Sequence, residues 1–282
     1  MQVFHTGAEW QKNWLHLIQS NKTIGLVPTM GALHEGHLDL VRQCKKECDI
    51  TVVSIFVNPT QFNNPEDFAK YPTTLGVDLK KLEAEGADFV FLPTTSAIYP
   101  ENPVLTFNFG DLERVLEGEF RPGHFNGVGI VVSKLFHIIK PAIALFGQKD
   151  LQQVAVIKRL VQDLSFDLKL VIVPTRRETD GLAMSSRNLR LNPEQRDQAL
   201  ILYSSLKKAK GELLEGKSWL GVGNQIRQDF EVKPLAKLEY FELIHPESFT
   251  KFENFDPGQK SSICVAAYIG SVRLIDNLPI IP

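Results

Sequence analysis

Cysteine is scarce in this chain. Its 282 residues include 3, at positions 44, 48 and 264, too few for a disulfide framework and without the CxxC spacing of a structural zinc site. Cys44 and Cys48 stand one helical turn apart in LDLVRQCKKECD and read as small apolar residues on one helix face. A dominant charge is also lacking, since 31 Lys and Arg face 33 Asp and Glu for a formal net charge of −2. No global field recruits nucleic acid or an anionic membrane. No apolar run reaches the ~20 residues that span a bilayer. The N-terminal MQVFHTGAEW lacks the charged-then-apolar order of an export signal. The expectation is a reduced, cytoplasmic protein with no nucleic-acid and no membrane partner.

Several catalytic signatures are missing as well. There is no GxxxxGK[ST] phosphate loop, no serine elbow and no pair of carboxylates at a telling spacing. What is present is an ordinary globular balance, 43% hydrophobic and 23% charged, in a chain long enough for one large domain or two ordinary ones.

The first ~175 residues alternate short β-branched runs with longer amphipathic stretches, the pattern of a parallel sheet wrapped by helices. Strands are predicted at 23–29, 50–58, 88–93, 142–147 and 168–174. Several are almost continuously apolar, as strands covered on both faces are. Helices are predicted at 71–88, ended by Gly86, and at 127–140, where the valines leave a strand open at the start. His137, in that stretch, reads as a core or helix-end histidine. Apolar stripes run through Leu38, Val41, Cys44 and Cys48 and through Val154, Ile157, Leu160 and Val161.

After residue 176 the texture changes. Asn192 and Pro193 read as N-cap and first residue of a helix reaching 216. A second helix covers SWLGVGNQIRQDFE, weakened by Gly221 and Gly223. KLEYFELIHP, SSICVAAYIG and VRLIDN then read as strands of a small, partly antiparallel sheet. The expected architecture is α/β: a Rossmann-like doubly wound parallel sheet over 1–175, and a smaller α+β C-terminal domain over 176–282 that closes over the site.

In a doubly wound sheet, ligands collect beyond the carboxyl ends of the strands. The unusual residues of this chain cluster there. After the first predicted strand comes MGALHEGH. Gly31 allows a tight turn and close backbone approach, and the following helix start offers amide donors to an anion. His34 and His37, one turn apart, point to one side and suit a leaving pyrophosphate. A metal pair is the other reading, but no third ligand stands at a recognisable spacing. After the second strand, Asn58 and Gln61 offer amides to a small polar substrate. A Pro/Asn-rich surface loop is the bland alternative. FGQKDLQQ supplies Gly147, Lys149 as a compact cation, Asp150 as a cap, and Gln153 one turn further on. In DGLAMSSRN, Ser185, Ser186 and Arg187 put two hydroxyls and a guanidinium in one turn, and Gly181 suggests a loop able to close. Arg121, Pro122, Gly123 and His124 make a cationic turn, either site rim, subunit contact or plain structure. Asp78 and Glu117 are available acids that no spacing singles out. The residues alone point to an α/β enzyme that handles a nucleoside triphosphate without a Walker loop.

PTMGALHEGH, VSIFVNPTQF, RPGHFNGV, LFGQKDLQQ and DGLAMSSRN, in this order, closely resemble the motifs of the pantoate–β-alanine ligase family. That family lies within the HxGH nucleotidylyltransferases and is related in fold to class I aminoacyl-tRNA synthetases. The match spans about residue 23 to the closing RLIDN. The resemblance implies a Mg²⁺-dependent, AMP-forming ligation. Pantoate's carboxylate attacks the α-phosphorus of ATP, pyrophosphate leaves, and the amine of β-alanine then attacks the pantoyl adenylate.

It also implies residue roles. Pro28, Thr29, Met30, Gly31, Ala32, Leu33, His34, Glu35, Gly36 and His37 line the ATP site, with His37 matching the family's proton donor. Gly147, Gln148, Lys149 and Asp150 bind ribose and phosphates. Arg176, Met184, Ser185, Ser186 and Arg187 complete the nucleotide site. His34, His37, Lys149, Ser185, Ser186 and Arg187 form the catalytic set. Gln61 and Gln153 hold pantoate, with Asn58 and Arg121 beside them, and Asp78 matches an acid near the metal, although Mg²⁺ is held mainly by ATP oxygens. The chain departs from the pattern at Arg176, where an apolar residue such as valine is usual. A homodimer through the N-terminal domain is implied by resemblance alone. Two other classes fit the bare motifs: another HxGH nucleotidylyltransferase acting on a cofactor precursor, and a non-catalytic nucleotide sensor or RNA-binding relative. The acidic balance weighs against the last.

Overall fold

A computed structural model of the chain describes residues 1–281. It divides into two compact units, one of Met1–Gln148 with Val156–Pro174, the other of Lys149–Ala155 with the chain from Thr175 onward. The seven residues after Gln148 thus group with the later chain, an excursion that a single boundary near 176 does not express.

The first unit is built on a parallel sheet. Its strands are β1 (Gln2–Phe4), β2 (Ile24–Thr29), β3 (Ile50–Ile55), β4 (Phe89–Phe91), β5 (Ile143–Gly147) and β6 (Lys169–Val173), ordered β1-β4-β3-β2-β5-β6. Every pairing is parallel. The strand order reverses between β2 and β5, which makes the carboxyl end of β2 the crevice where ligands of such sheets bind. Leu26, Val27, Val52 and Val53 are fully buried, the reason these strands carry no polar alternation. β1 was not expected, because three residues are too short for periodicity to register.

The helix Glu35–Glu47 lays Leu38, Val41 and Cys44 against the sheet. Burial pushes the Cys48 thiol up to about 12, and the adjacent Cys44 adds to it, so both sulfurs behave as packing groups. The helix foreseen at 71–88 runs only from Leu75 to Ala84, with Thr74 at φ −134°, ψ 42° as its N-cap outside the helical region. The stretch around 127–140 is entirely helical, His124–Ile139. It starts at Gly123, whose φ of +78° a side chain would resist. His137 lies exposed in its last turn, a helix-end histidine and not a core one.

In the second unit, β7 (Ala236–Ile244), β8 (Ser261–Ile269) and β9 (Val272–Ile281) form a sheet antiparallel throughout, not the partly antiparallel one expected. Helices Pro193–Ala199, Ile201–Leu214 and Trp219–Glu231 cover it. Leu206, Ile226, Phe241, Ile263 and Val265 form its core. Asn192 caps the first helix in a reciprocal box with Gln195. Gly221 and Gly223 do not interrupt the third, because Val222 and Ile226 anchor it in that core.

Candidate active site

The loop after β2 is held by a single acid. Asp78, 1% exposed, accepts the amide of Leu33 on Oδ1 and that of Ala32 on Oδ2, each at 2.8 Å. Thr74 adds its hydroxyl to Oδ1 at 3.0 Å. Lys81 Nζ donates to the Leu33 carbonyl at 2.5 Å. Thr29 Oγ1 accepts the Gly31 amide at 3.3 Å and donates to the Ser54 carbonyl at 2.8 Å. The backbone can therefore turn through two left-handed residues, Gly31 at φ +83° and Ala32 at +50°. In this structure Asp78 serves the loop. Its oxygens are committed to backbone and hydroxyl donors, and no group of three or more His, Cys, Asp or Glu suited to a metal lies among the described residues.

That turn delivers His34 and His37 to the start of the helix Glu35–Glu47. Their rings stack at 4.0 Å between centroids with an interplanar angle of 28°. The His34 amide donates to His37 Nδ1 at 3.3 Å. A neutral His37 ring consequently carries its proton on Nε2. The pair is thus a donor surface at a helix N-terminus, favourable to phosphate.

Gln61 sits beside this loop, its Nε2 2.9 Å from Met30 Sδ. Asn58, expected to touch substrate, does a different job. Its Nδ2 donates to Gln61 Oε1 and to the Gly127 carbonyl, both at 3.2 Å. Its Oδ1 accepts from Tyr99 Oη at 2.9 Å, from Thr60 Oγ1 at 3.0 Å and from the Thr60 amide at 3.4 Å. An amide so occupied at 1% exposure orients Gln61 and offers nothing further. Burial raises the Tyr99 phenol above its ordinary value, opposed by its bonds to Thr60 and Asn58. It thus stays a neutral donor. Gly127 is required here, because a Cβ would lie 2.3 Å from the Thr60 carbonyl oxygen.

Arg121 is also drawn inward. Its Nη1 lies 3.3 Å from Glu117 Oε2 and 3.1 Å from His124 Nε2. His124 Nδ1 donates to the Gln61 carbonyl at 2.8 Å. The RPGH turn therefore braces the Gln61 backbone. Sequence reading passed over Tyr99, whose only signal is one tyrosine in a loop of mixed character.

The second unit collects the remaining candidates. Lys149, 17% exposed at its side chain, lies 3.5 Å from Asp150 Oδ1. Gln153 is half-buried two residues into its helix. The chain from Arg176 to Met184 is a small hairpin. The Met184 amide donates to the Arg176 carbonyl at 3.0 Å, and Arg177 bridges Ala183. It turns at Gly181, φ +95°, under Tyr203. Glu178 and Asp180 both pair with Arg196, the first at 2.7 Å and the second at 2.5 Å. Ser185 Oγ accepts the Arg187 amide at 3.3 Å and caps the short helix Ser186–Arg190, with Ser186 buried.

A model of the pantoate-beta-alanine ligase family matches residues 2–279. A pantothenate synthetase of Thermoanaerobacter sp. (strain X514) is 51% identical over 260 residues, covering 92% of this chain and 91% of that protein. The crystal structure of pantothenate synthetase from Thermus thermophilus superposes with a TM-score of 0.93 at 38% identity and full coverage of both chains. The pantoate-beta-alanine ligase of Francisella tularensis, complexed with beta-gamma ATP and beta-alanine, gives a TM-score of 0.82 at 37% identity, covering 99% of this chain and 98% of that one.

Proposed function

The chain belongs to the pantoate-beta-alanine ligase family and is a ligase that forms an amide bond, and from that premise we propose how its residues divide the work. The substrates are pantoate, β-alanine and ATP. In the first step a carboxylate oxygen of pantoate attacks the α-phosphorus, and the bond from that phosphorus to the pyrophosphate oxygen breaks. In the second, the amine of β-alanine attacks the acyl carbon, AMP leaves with the carboxylate oxygen, and the amine loses a proton.

The observation that carries this reading is the loop from Thr29 to His37, turned by Asp78 so that two stacked imidazoles stand at a helix start beyond β2. His37, with its proton on Nε2, donates to the phosphate oxygens whose charge grows as pyrophosphate departs. His34 flanks it. Lys149 supplies a fixed ammonium, and Ser185, Ser186 and Arg187 supply hydroxyl, amide and guanidinium donors to the same phosphates. Pro28, Thr29, Met30, Gly31 and Ala32 present backbone to the nucleotide, Gly147 and Gln148 the ribose contacts, and Arg176 its main chain to adenine. Gln61 and Gln153 hold pantoate, and Arg121 steadies Gln61 from behind. No covalent enzyme nucleophile is needed, because positioning and charge stabilisation suffice for adenyl transfer.

Mg²⁺ arrives with ATP in this reading and is held by phosphate oxygens. No group of three or more metal-ligating side chains lies together among the described residues, and Asp78 accepts two amides of the loop. The working form is a cytoplasmic homodimer, which sedimentation at micromolar concentration tests. No helix among the described residues is long and apolar enough to cross a membrane.

The deciding experiment is exchange of labelled pyrophosphate into ATP with Mg²⁺ present and β-alanine absent. Exchange that requires pantoate is expected. Its absence in folded, ATP-binding protein overturns the two-step reading and moves attention to another acceptor.

A further inference from the structure

Asn277 lies on β9, 3% exposed, opposite Cys264 of β8. Its side-chain amide donates to the main-chain carbonyl of Lys149 at 2.8 Å, a contact that joins residues 128 apart. Next to it, Asp276 is equally buried and accepts two bonds from Arg177, Nη1 to Oδ2 at 2.6 Å and Nη2 to Oδ1 at 3.0 Å. The same guanidinium donates to the carbonyls of Asn277 and Gly181, both at 3.2 Å. It also lies over the Tyr203 ring, 3.8 Å from its centroid. The Asp276 carboxyl is further tied to the Asn277 amide at 2.8 Å.

One guanidinium thus fixes the last strand and the hairpin that precedes Ser185, and through Asn277 that strand grips the turn bearing Lys149. Stability is a poor reason for this arrangement. A buried ion pair is often no better than well-packed apolar residues of like size, and apart from Arg273, Asp276 and Asn277 the residues of β9 are apolar. Burial pushes the Asp276 carboxyl up, and Arg177 and Lys149 oppose that push. What the arrangement does supply is a fixed origin for the Lys149 side chain.

We propose that Asn277, oriented by the Asp276–Arg177 pair, is a positioning residue for the adenylation step, acting through Lys149. The proposal rests on the reading of Lys149 as a phosphate ligand. A lysine on a four-carbon stem reaches a phosphate reproducibly only if its main chain is held, and a misplacement of about 1 Å can cost ~10²-fold in rate. Arg177 gives the same clasp a second hold, on the hairpin that carries the Ser-Ser-Arg turn.

The test is a double-mutant cycle in the full-length protein, read by pantoate-dependent pyrophosphate exchange. Asn277→Ala is expected to lower kcat by about 10- to 100-fold and to raise KM for ATP, leaving KM for pantoate unchanged. The same substitution made in Lys149→Ala protein is expected to cost nothing more. An equal loss in both backgrounds means a general structural role and overturns the proposal, as does no loss at all. Full activity in Lys149→Ala alone overturns the phosphate reading itself, a result that Asn277 variants cannot produce. Arg177→Lys keeps a charge opposite Asp276 while removing the fork, so it serves if Asn277→Ala folds poorly. It should give a smaller fall with the same dependence on Lys149, and an unchanged rate or a fall independent of Lys149 overturns the proposal.

Discussion

Asp78 holds Ala32 in the left-handed region: its Oδ2 accepts the Ala32 amide at 2.8 Å while that residue keeps a φ of +50°. An L-residue pays roughly 1–2 kcal/mol for such a backbone, and two amide bonds to a buried carboxylate offset it. Asp78→Ala is therefore expected to destabilise the protein by on the order of 3 kcal/mol, since hydrogen bonds to charged groups contribute about 1.5–3 kcal/mol each. Ala32→Gly should stabilise it by up to about 1 kcal/mol. Urea unfolding measures both. In Asp78→Asn, exchange activity should fall with no change in the Mg²⁺ concentration it requires. A raised Mg²⁺ requirement would return Asp78 to the metal.

The same pair of residues shows what was legible in the sequence and what was not. Strands β2, β3 and β5 announce themselves because burial on both faces leaves them almost continuously apolar, with only Thr29, Thr51 and Ser54 as polar members. His34, His37, Lys149 and Ser185 stand out because their types and their places after strands suit phosphate. The partners of these residues do not stand out. Asp78 reaches Ala32 across 46 positions and Asn277 reaches Lys149 across 128, and no periodicity relates such distances. Asn58 looked like a substrate ligand because an amide next to Gln61 suits one. Only the folded chain shows Tyr99 and Gly127 using up its hydrogen bonds. An acid or amide in isolation does not reveal whether it serves a ligand or a loop.

Gly25 is the point where β2 admits the helix behind it. A Cβ there would lie 2.2 Å from Cys44 Sγ and 2.8 Å from Cys48 Sγ. Gly25→Ala is expected to cost about 1–3 kcal/mol by overpacking. Combined with Cys44→Ala, the loss should be smaller than the sum of the two single changes, with some strain left from Cys48. Strict additivity in denaturant midpoints would mean that the strand shifts and the sulfurs stay.

Asp49 joins the starts of β2 and β3 and should make stability depend on acid. The Thr23 amide and hydroxyl donate to its Oδ2 at 2.9 and 2.7 Å, and these bonds, with Lys22 nearby, hold its carboxyl down at about 2, against an ordinary 3.8. The folded-state value lies below the unfolded one. The contribution is therefore complete above the unfolded value and is lost as pH falls through the folded one. Urea midpoints of the protein and of Asp49→Asn should differ by a constant amount near neutral pH. That gap should close between about pH 4 and pH 2. A gap that persists into acid would show that the carboxylate's charge is not what stabilises the strand starts.

His37 carries the sharpest chemical expectation. Its Nδ1 accepts the His34 amide at 3.3 Å, which puts the proton of the neutral ring on Nε2, the nitrogen that would donate to a phosphate oxygen. Loss of one charge-stabilising donor typically costs ~10²–10³ in rate, so His37→Ala should lower pantoate-dependent pyrophosphate exchange by about that factor. Because the donor matters most as pyrophosphate gathers charge, the loss belongs in kcat, with ATP affinity in a binding titration changing little. His37→Asn offers an N–H near the same place and should recover part of the rate. If instead ATP affinity fell and kcat held, the imidazole would be a ground-state phosphate clamp, and the charge developing on pyrophosphate would have to be met by Lys149 and the Ser-Ser-Arg turn alone.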